Sequence, residues 1–223
     1  MQTDPIGYGG GENLYVYARR DPIDMVDSQG TDAVMVKNPD GSETLIIPVQ
    51  FSGQAATPAN VAAIVARDNS LNISDSTKHI QVVSTSEPIN GALNYMDYSP
   101  GYNYKLCGSP GECVNALGGD TAHINSAGYQ SIDAAAHDVL HFAGIPDEYI
   151  EGPSDAQGNR TSVPAPGYSD TNIMTARSGT VLTPDQFDSA KQRDSTTQTG
   201  GPVPPPPAGD GYSDGPTVTY SGK

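Results

Sequence analysis

The chain has 223 residues, enough for one well-packed domain with additional segments. Its 26 acidic residues against 11 basic ones give a net charge of −15, which argues against nucleic acid or an anionic membrane as a partner, because neutralising phosphates requires Lys and Arg. No apolar stretch approaches the roughly 20 residues that would span a bilayer, and the polar, glycine-rich segment 1–11 does not have the pattern of a secretory signal peptide.

The first part of the chain combines turn residues with one short strand pattern. Alternating aliphatic and aromatic residues over 14–17 predict a strand between glycine- and proline-rich turns. Residues 31–43 are predicted to form a linker that ends in the turn sequence Asn-Pro-Asp-Gly.

Residues 44–194 are predicted to form the folded unit, of the α+β class. The predicted strands cover 44–51, 79–84 and 121–125, and the predicted helices cover 57–69, 129–143 and 183–193. Pro48 favours an edge position or a bulge for the first strand. Thr183 and Gln186 are spaced for a capping box. The segment 86–120 is rich in Gly, Pro, Asn and Tyr, which predicts irregular structure with short strands at most.

The helix over 129–143 has the clearest amphipathic pattern of the chain. One apolar stripe at helical spacing comprises Ile132, Ala135, Ala136, Val139, Leu140 and Ala143. His137 and His141 lie off this stripe, so a helix that buries the stripe against a sheet would present both histidines to a cleft. Gly144 is predicted to end the helix.

Residues 195–223 have the composition of a disordered tail. They include the proline-rich tract 202–207 among Ser, Thr, Gly and Asp residues, which is typical of an extended polyproline conformation.

A metal site is predicted at the end of the 129–143 helix. His137 and His141 are four residues apart, and Asp147 follows six residues later, past Gly144. Two imidazoles and one carboxylate leave the fourth position of a tetrahedral zinc ion open for water, as in catalytic zinc sites. The spacing resembles the H-E-x-x-H-x-x-G-x-x-H/D sequence of zincin metallopeptidases, with Asp138 in place of the Glu.

A second segment supports this resemblance. Met174, in Asn172-Ile173-Met174, resembles the Met-turn that lies beneath the metal in metzincin-type zincins. A core methionine in a loop is the alternative interpretation. The resemblance implies a zincin-like α+β domain over 44–194, with a small mixed β-sheet, an active-site helix and a C-terminal helix.

The resemblance assigns catalysis to the position of Asp138. There the family has a Glu that deprotonates the zinc-bound water and later protonates the leaving amine. Asp is shorter by about 1.5 Å, one carbon–carbon bond, and a misplacement near 1 Å can cost on the order of a hundredfold in rate. Three interpretations stay open: an enzyme adapted to Asp138, an attenuated enzyme that still binds metal, or participation of Glu148.

Residues 4–30 resemble the end of an RHS repeat-associated core domain. The matching residues are Asp4, Pro5, Gly7, Gly10, Gly11, Asn13, Tyr15, Tyr17, Pro22, Asp27 and Gly30. In that family the core forms a β-cage, a variable C-terminal domain is the toxic cargo, and two aspartates, here Asp4 and Asp27, are implicated in self-cleavage close to Gly30. A boundary strand without activity is the other interpretation of this segment.

The two resemblances together imply a zinc metallopeptidase that is the C-terminal toxin of an RHS-type polymorphic toxin. Its partners would be a protein or peptide substrate, the RHS cage and a cognate immunity protein. Its location would be that of a bacterial effector, delivered to a target cell or its surroundings. Two other hypotheses remain: a degenerate zincin that acts as a metal- or protein-binding module, and a hydrolase of another bond, such as an amide of cell-wall peptide.

The remaining histidines and cysteines carry less information. His79 and His123 are predicted to be ordinary polar residues. Cys107 and Cys113 enclose five residues, and their proximity allows either a small disulfide or two thiols.

Overall fold

The computed structural model describes residues 33–107, 113–115, 117–128, 130–154, 160–193 and 197–199, and over these residues the protein is of the α+β class. The helices are α1 (Pro58–Asn69), α2 (Tyr104–Cys107), α3 (Ser131–Phe142) and α4 (Pro184–Arg193). The strands are β1 (Val34–Lys37), β2 (Glu43–Ser52), β3 (Asn72–Ile73), β4 (Lys78–Ser84), β5 (Asn94–Ser99), β6 (Cys113–Val114), β7 (Thr121–Asn125), β8 (Tyr149–Ser154), β9 (Arg160–Pro164), β10 (Val181–Leu182) and β11 (Thr197–Thr199).

The main sheet is mixed and is organised around the ten-residue strand β2. On one side β2 pairs in parallel with β4, and on the other it pairs first with antiparallel β1 and then with parallel β5. The sheet continues from β5 to parallel β7 and ends at the short antiparallel strand β6. Strand β11 pairs with β1 at the other end of the main sheet, and two small sheets consist of β3 with β10 and β8 with β9.

Pro48 does not mark an edge strand, so the edge prediction is wrong. Its carbonyl oxygen accepts a hydrogen bond from Asn94 Nδ2 at 2.8 Å, on the side where β2 changes its neighbour from β1 to β5. The N and C=O groups of one strand residue point to the same side of the strand. Position 48, where proline has no N–H, lies between the end of the β1 pairing at Ile46 and the start of the β5 pairing at Val49. The proline therefore removes no ladder hydrogen bond from β2.

The predicted linker over 31–43 is also wrong where the structure describes it. β1 lies within it, and Ala33, Val34, Met35 and Val36 are buried. The predicted turn follows, with Gly41 at a φ of 87° and its N–H donating to Asn38 O. The apolar run 33–36 is therefore part of a β-hairpin, because β1 pairs with β2 after the turn.

Two segments predicted to lack regular structure contain strands. Residues 197–199 of the predicted disordered tail form β11, which pairs in parallel with β1. Asp4 and Asp27 lie outside the described residues. In the segment predicted to be irregular, 86–120, the six-residue strand β5 occupies the middle of the sheet.

The core lies mainly between the sheet and two helices. Alternate residues of β2, including Leu45, Ile47 and Val49, are buried together with Ile64 of α1 and the apolar stripe of α3. A smaller cluster with Ile46 occupies the opposite face of the sheet. This packing fixes α3 against the sheet. None of the described helices has the length and apolar character needed to cross a bilayer.

Candidate metal centre

His137 and His141 lie one turn apart on α3 and line the same cleft, as the sequence analysis expected. Their ring centroids are 4.9 Å apart and their planes are nearly perpendicular, at 85°. The side chain of His137 is 7% exposed and that of His141 is 13% exposed. Both imidazoles are therefore largely buried, and the small part of each that stays exposed faces the cleft.

Each imidazole is oriented by a backbone carbonyl. His137 Nδ1 lies 2.8 Å from Ile173 O, and His141 Nδ1 lies 2.7 Å from Ile145 O. Because a carbonyl oxygen only accepts, both Nδ1 atoms are donors, and both Nε2 atoms are left for the cleft. Histidine ligands of metal ions typically have this second hydrogen bond, which sets the tautomer and the ring orientation.

Asp147 brings its carboxylate to both Nε2 atoms. Asp147 Oδ1 lies 2.9 Å from His137 Nε2 and 3.4 Å from His141 Nε2. The chain reaches this position through Gly144, which has a φ of 75°, and the N–H groups of Gly144 and Ile145 donate to the carbonyls of His141 and Leu140. Gly144 thus ends α3 as predicted, in a left-handed conformation that favours glycine.

The convergence of these three side chains affects their acidity. Burial alone would raise the pKa of Asp147, but hydrogen bonds from His137 and His141 outweigh it and hold the pKa well below its usual range. For His141 burial lowers the pKa, but the hydrogen bond to Asp147, the negative charges of Asp138 and Asp147 and the hydrogen bond to Ile145 O together outweigh it, so the pKa is raised overall.

The donor set fits a tetrahedral divalent metal ion. Ligand atoms at about 2.0–2.2 Å from zinc in a tetrahedron lie about 3.3–3.6 Å from one another. The 3.4 Å separation between Asp147 Oδ1 and His141 Nε2 lies in that range, and the 2.9 Å separation from His137 Nε2 is shorter. Two imidazoles and one carboxylate are also the ligand types that catalytic zinc sites use.

Asp138 adds a second carboxylate beside the two histidines. A carboxylate oxygen of Asp138 lies within 4.8 Å of ligand atoms of His137 and His141, and the residue is 8% exposed and lines the cleft. Its Oδ2 atom is buried and has no hydrogen-bond partner in the described part of the chain. Burial raises the pKa of Asp138, and the neighbouring His137 and His141 only partly oppose that effect. Both carboxylates are thus candidate ligands: Asp138 forms a compact group with the two histidines, and Asp147 Oδ1 contacts both Nε2 atoms directly.

Met174 lies in the main core and not among the residues that line the cleft. It is fully buried, and its carbonyl oxygen accepts a hydrogen bond from Glu148 N at 2.8 Å. The preceding Asn172 places Oδ1 2.8 Å from Met174 N and donates through Nδ2 to Gln186 Oε1 at 2.7 Å. Gln186 Oε1 also accepts from Thr183 N in the predicted capping box of α4. This network fixes the loop that presents Ile173 O to His137.

The cleft around the centre has a volume of about 740 Å³ and is bounded by four parts of the chain. These are α3 with Gln130 before it and 146–147 after it, the edge strand β6 with Leu117, the pair of strands β8 and β9, and the loop 170–178 after β9. Sequence reasoning missed Arg177 and Tyr149, because no motif marks them. Gln130 has a φ of 53°, an uncommon value for a residue other than glycine and a signal available only from the backbone.

The remaining histidines, Glu148 and the cysteines are not placed at the metal ligands. His123 contacts Asp97 Oδ2 at 2.9 Å and Gly101 O at 3.1 Å, away from the residues that line the cleft, and His79 is exposed on β4. Glu148 hydrogen-bonds with Tyr168 and is not among the described residues of the cleft lining. Cys113 lines the cleft and is disulfide-bonded, which decides the alternatives left open for the cysteines.

A comparison with protein-family models and with curated proteins finds no match to this chain. The zincin and RHS resemblances therefore rest on the sequence motifs alone.

Proposed function

We propose that the protein is a zinc-dependent metallopeptidase. The observation that carries this proposal is the convergence of His137 Nε2 and His141 Nε2 on Asp147 Oδ1, with each Nδ1 held by a backbone carbonyl. The α+β fold, with α3 packed against a mixed sheet and the buried Met174 loop behind the histidines, supports a zincin-like architecture. Zinc, when bound, supplies a Lewis acid that acidifies water and polarises a carbonyl group.

In this proposal His137, His141 and Asp147 hold the metal, and Asp138 is the general base. Asp138 accepts a proton from the attacking water, whose oxygen forms a bond to the peptide carbonyl carbon. The C–N bond then breaks, and the proton passes from Asp138 to the departing amine nitrogen. This role is supported by the position of Asp138, which lines the cleft and has a carboxylate oxygen within 4.8 Å of ligand atoms of both histidines.

A catalytically attenuated zincin that binds metal or protein is the alternative. Asp138 favours it, because the carboxylate is one methylene shorter than that of Glu and is held in a buried position on a helix packed into the core. The two proposals share the metal ligands and differ only in whether Asp138 reaches the water.

The biological setting is also a proposal. The resemblance of residues 4–30 to an RHS core favours the C-terminal toxin of a polymorphic toxin, delivered by a bacterium to a target cell or its surroundings. It implies an RHS cage and a cognate immunity protein as partners, with a protein or peptide as the substrate. The acidic composition, with a net charge of −15, favours such a substrate over nucleic acid.

The first test measures zinc content and peptide cleavage together. The chain, its His137→Ala, Asp138→Asn and Asp138→Glu variants, and a His79→Ala control would be dialysed against zinc, analysed for bound metal, and incubated with a broad peptide library. His79 is a suitable control because it is an exposed histidine on β4.

We expect about one zinc per chain and cleavage by the unaltered protein, both lost in His137→Ala and both kept in His79→Ala. Asp138→Asn should bind zinc and lose about 10²–10⁴-fold in rate, the contribution of a general base. If zinc binds but only Asp138→Glu cleaves, the protein is the attenuated form. If neither the unaltered chain nor Asp138→Glu binds zinc, the metal assignment is wrong, and with it the proposed activity.

A further inference from the structure

The cleft has an uneven distribution of charge. Among the described residues that line it, Arg177 is the only Lys or Arg, in a chain with only 11 such residues. The carboxylates of the same lining are those of Asp138, Asp147 and Asp170. Arg177 is exposed, so its guanidinium is accessible to molecules that enter the cleft.

The backbone around Arg177 is held by several contacts. Arg67 Nη2 of α1 donates to Arg177 O at 3.3 Å and also to Gly179 O, while Arg67 Nε contacts Asp133 Oδ1 of α3 at 3.1 Å. Gly179 N donates to Ala176 O at 2.7 Å. The loop that presents Arg177 is therefore tied to both core helices, which reduces the entropy lost when its side chain binds a ligand.

Gly179 closes the same loop. A Cβ atom at this position would overlap the carbonyl carbon and oxygen of Asn172 and would lie 2.6 Å from Ile173 N. The end of the loop therefore packs directly on the residues that orient His137. Arg177 and the metal ligand His137 are positioned by one short stretch of chain, so a substrate group on Arg177 is placed relative to the metal centre.

Arg177 lies in the same cleft as the candidate metal centre. His137, Asp138 and His141 line this cleft together with Arg177. A peptide that occupies the cleft over the two histidines therefore also meets the Arg177 side chain.

We propose that Arg177 makes the cleft selective for peptides that carry a carboxylate beside the scissile bond, an inference that rests on the proposed peptidase function. A guanidinium binds a carboxylate through two parallel N–H···O hydrogen bonds, which a neutral amide or an ammonium group cannot reproduce. The carboxylate is that of an Asp or Glu side chain or that of a peptide C-terminus. Both present the same planar group to Arg177.

The test compares matched peptides that differ in one group. A peptide cleaved in the library would be made with Glu, Gln or Lys at each position flanking the scissile bond, once with blocked ends and once with a free C-terminal carboxylate. The ratio of kcat/KM for Glu over Gln would be measured for the unaltered chain, Arg177→Gln and Arg177→Glu. Lys37→Gln, which removes an exposed charge from β1, is the matched control.

We expect a Glu over Gln ratio of about ten in the unaltered chain and in Lys37→Gln, from one charge-assisted contact. The ratio should fall to about one in Arg177→Gln, and Arg177→Glu should prefer Lys. This Glu over Gln ratio identifies an acidic side chain, whereas a terminal carboxylate would give the same ratio for the free over the blocked C-terminus, with equal rates for Glu and Gln. Equal rates for Glu, Gln and Lys, together with equal rates for free and blocked ends, would overturn the inference while leaving the peptidase proposal intact.

Affinity provides a second readout that does not depend on turnover. Titration of the Asp138→Asn form with the same peptides should show about tenfold tighter binding of the carboxylate peptide, and this difference should vanish when Arg177→Gln is added. If the chain cleaves no peptide, the proposed peptidase function is wrong, but this result does not test the carboxylate site. The same binding difference would then still support the carboxylate site, and its absence would exclude that site.

Discussion

Asp68 lies on the buried face of α1 with Val61 and Ile64, and both of its carboxylate oxygens lack a hydrogen-bond partner in the described structure. Burial raises its pKa well above the ordinary value, and the neighbouring Arg67 only partly opposes that rise. The folded protein therefore holds this proton more tightly than the unfolded chain does. The free energy of unfolding must fall as the pH rises from the ordinary carboxyl range through the raised pKa.

Asp68→Asn should remove this pH dependence. We expect the variant to be more stable than the unaltered chain by about 1–3 kcal/mol near pH 7.5, because no ionised group has to be buried. The advantage should shrink towards pH 4, where Asp68 is protonated in the folded protein. Thermal unfolding between pH 4 and 8 measures this, with exposed Glu87→Gln as the control for simple loss of charge. Parallel curves for Asp68→Asn and the unaltered chain would contradict the interpretation.

The histidine pair shows what residue spacing predicts and what it does not. The four-residue interval between His137 and His141 places both on one side of a helix, and the glycine before Asp147 allows the chain to turn back, so these contacts could be predicted. The acceptors of the two Nδ1 atoms could not, because Ile145 O and Ile173 O are backbone atoms whose placement has no side-chain pattern. Arg177 was missed for a similar reason: a single arginine in a loop has many ordinary explanations.

At the scale of elements, the Met174 loop depends on one buried amide. Asn172 is 3% exposed and holds both Met174 N and Gln186 Oε1. Asn172→Ala should lower the free energy of unfolding by about 2 kcal/mol, because partners are left buried and unsatisfied. Zinc affinity should fall about 10–100-fold, the usual effect of losing the support of a metal-bound histidine, since Ile173 O loses its fixed position.

Urea unfolding of the metal-free protein and competition with a zinc chelator would measure the two effects of Asn172→Ala. Ser169→Ala, an exposed hydroxyl on the same segment, should change neither quantity appreciably. A variant with lowered stability and unchanged zinc affinity would show that the loop does not orient His137.

The elements of the fold were predictable to different degrees for physical reasons. α1 and α4 begin at Thr-Pro caps, and α3 has apolar periodicity and a glycine after its end, and these local signals were sufficient for their positions. β5, with the sequence Asn-Tyr-Met-Asp-Tyr-Ser, has only moderate apolar character and becomes a central strand because β2 and β7 pair with it on both sides. Such pairing depends on residues far apart in the sequence.

At the scale of the whole molecule, the position of β1 changes where the folded unit begins. A shortened chain starting at residue 44 would lose the buried residues 33–36 and leave residues 44–46 of β2 without their partner strand. The lost burial amounts to about 5 kcal/mol or more, at about 1.5–3 kcal/mol for each large apolar side chain, which is comparable with the whole stability of a typical domain.

We therefore expect the chain starting at residue 44 to lose cooperative unfolding and to bind a hydrophobic dye. A chain starting at residue 31 keeps β1 and is the matched control. Circular dichroism during urea unfolding and dye fluorescence distinguish the two. Cooperative unfolding of the shorter chain, with an unchanged midpoint, would show that β1 contributes little.

The carbonyl groups that orient the two imidazoles differ greatly in sequence distance. His141 is anchored by a residue four positions away, whereas His137 is anchored by a residue 36 positions away. His141 can thus adopt its orientation as soon as the end of α3 forms, but His137 requires the segment up to Ile173 to be in place. Transient local opening of that distant segment would free one ring and spare the other. The rate at which the centre exchanges its metal ion should then follow the hydrogen-exchange rate of the Met174 loop and not the rate of global unfolding.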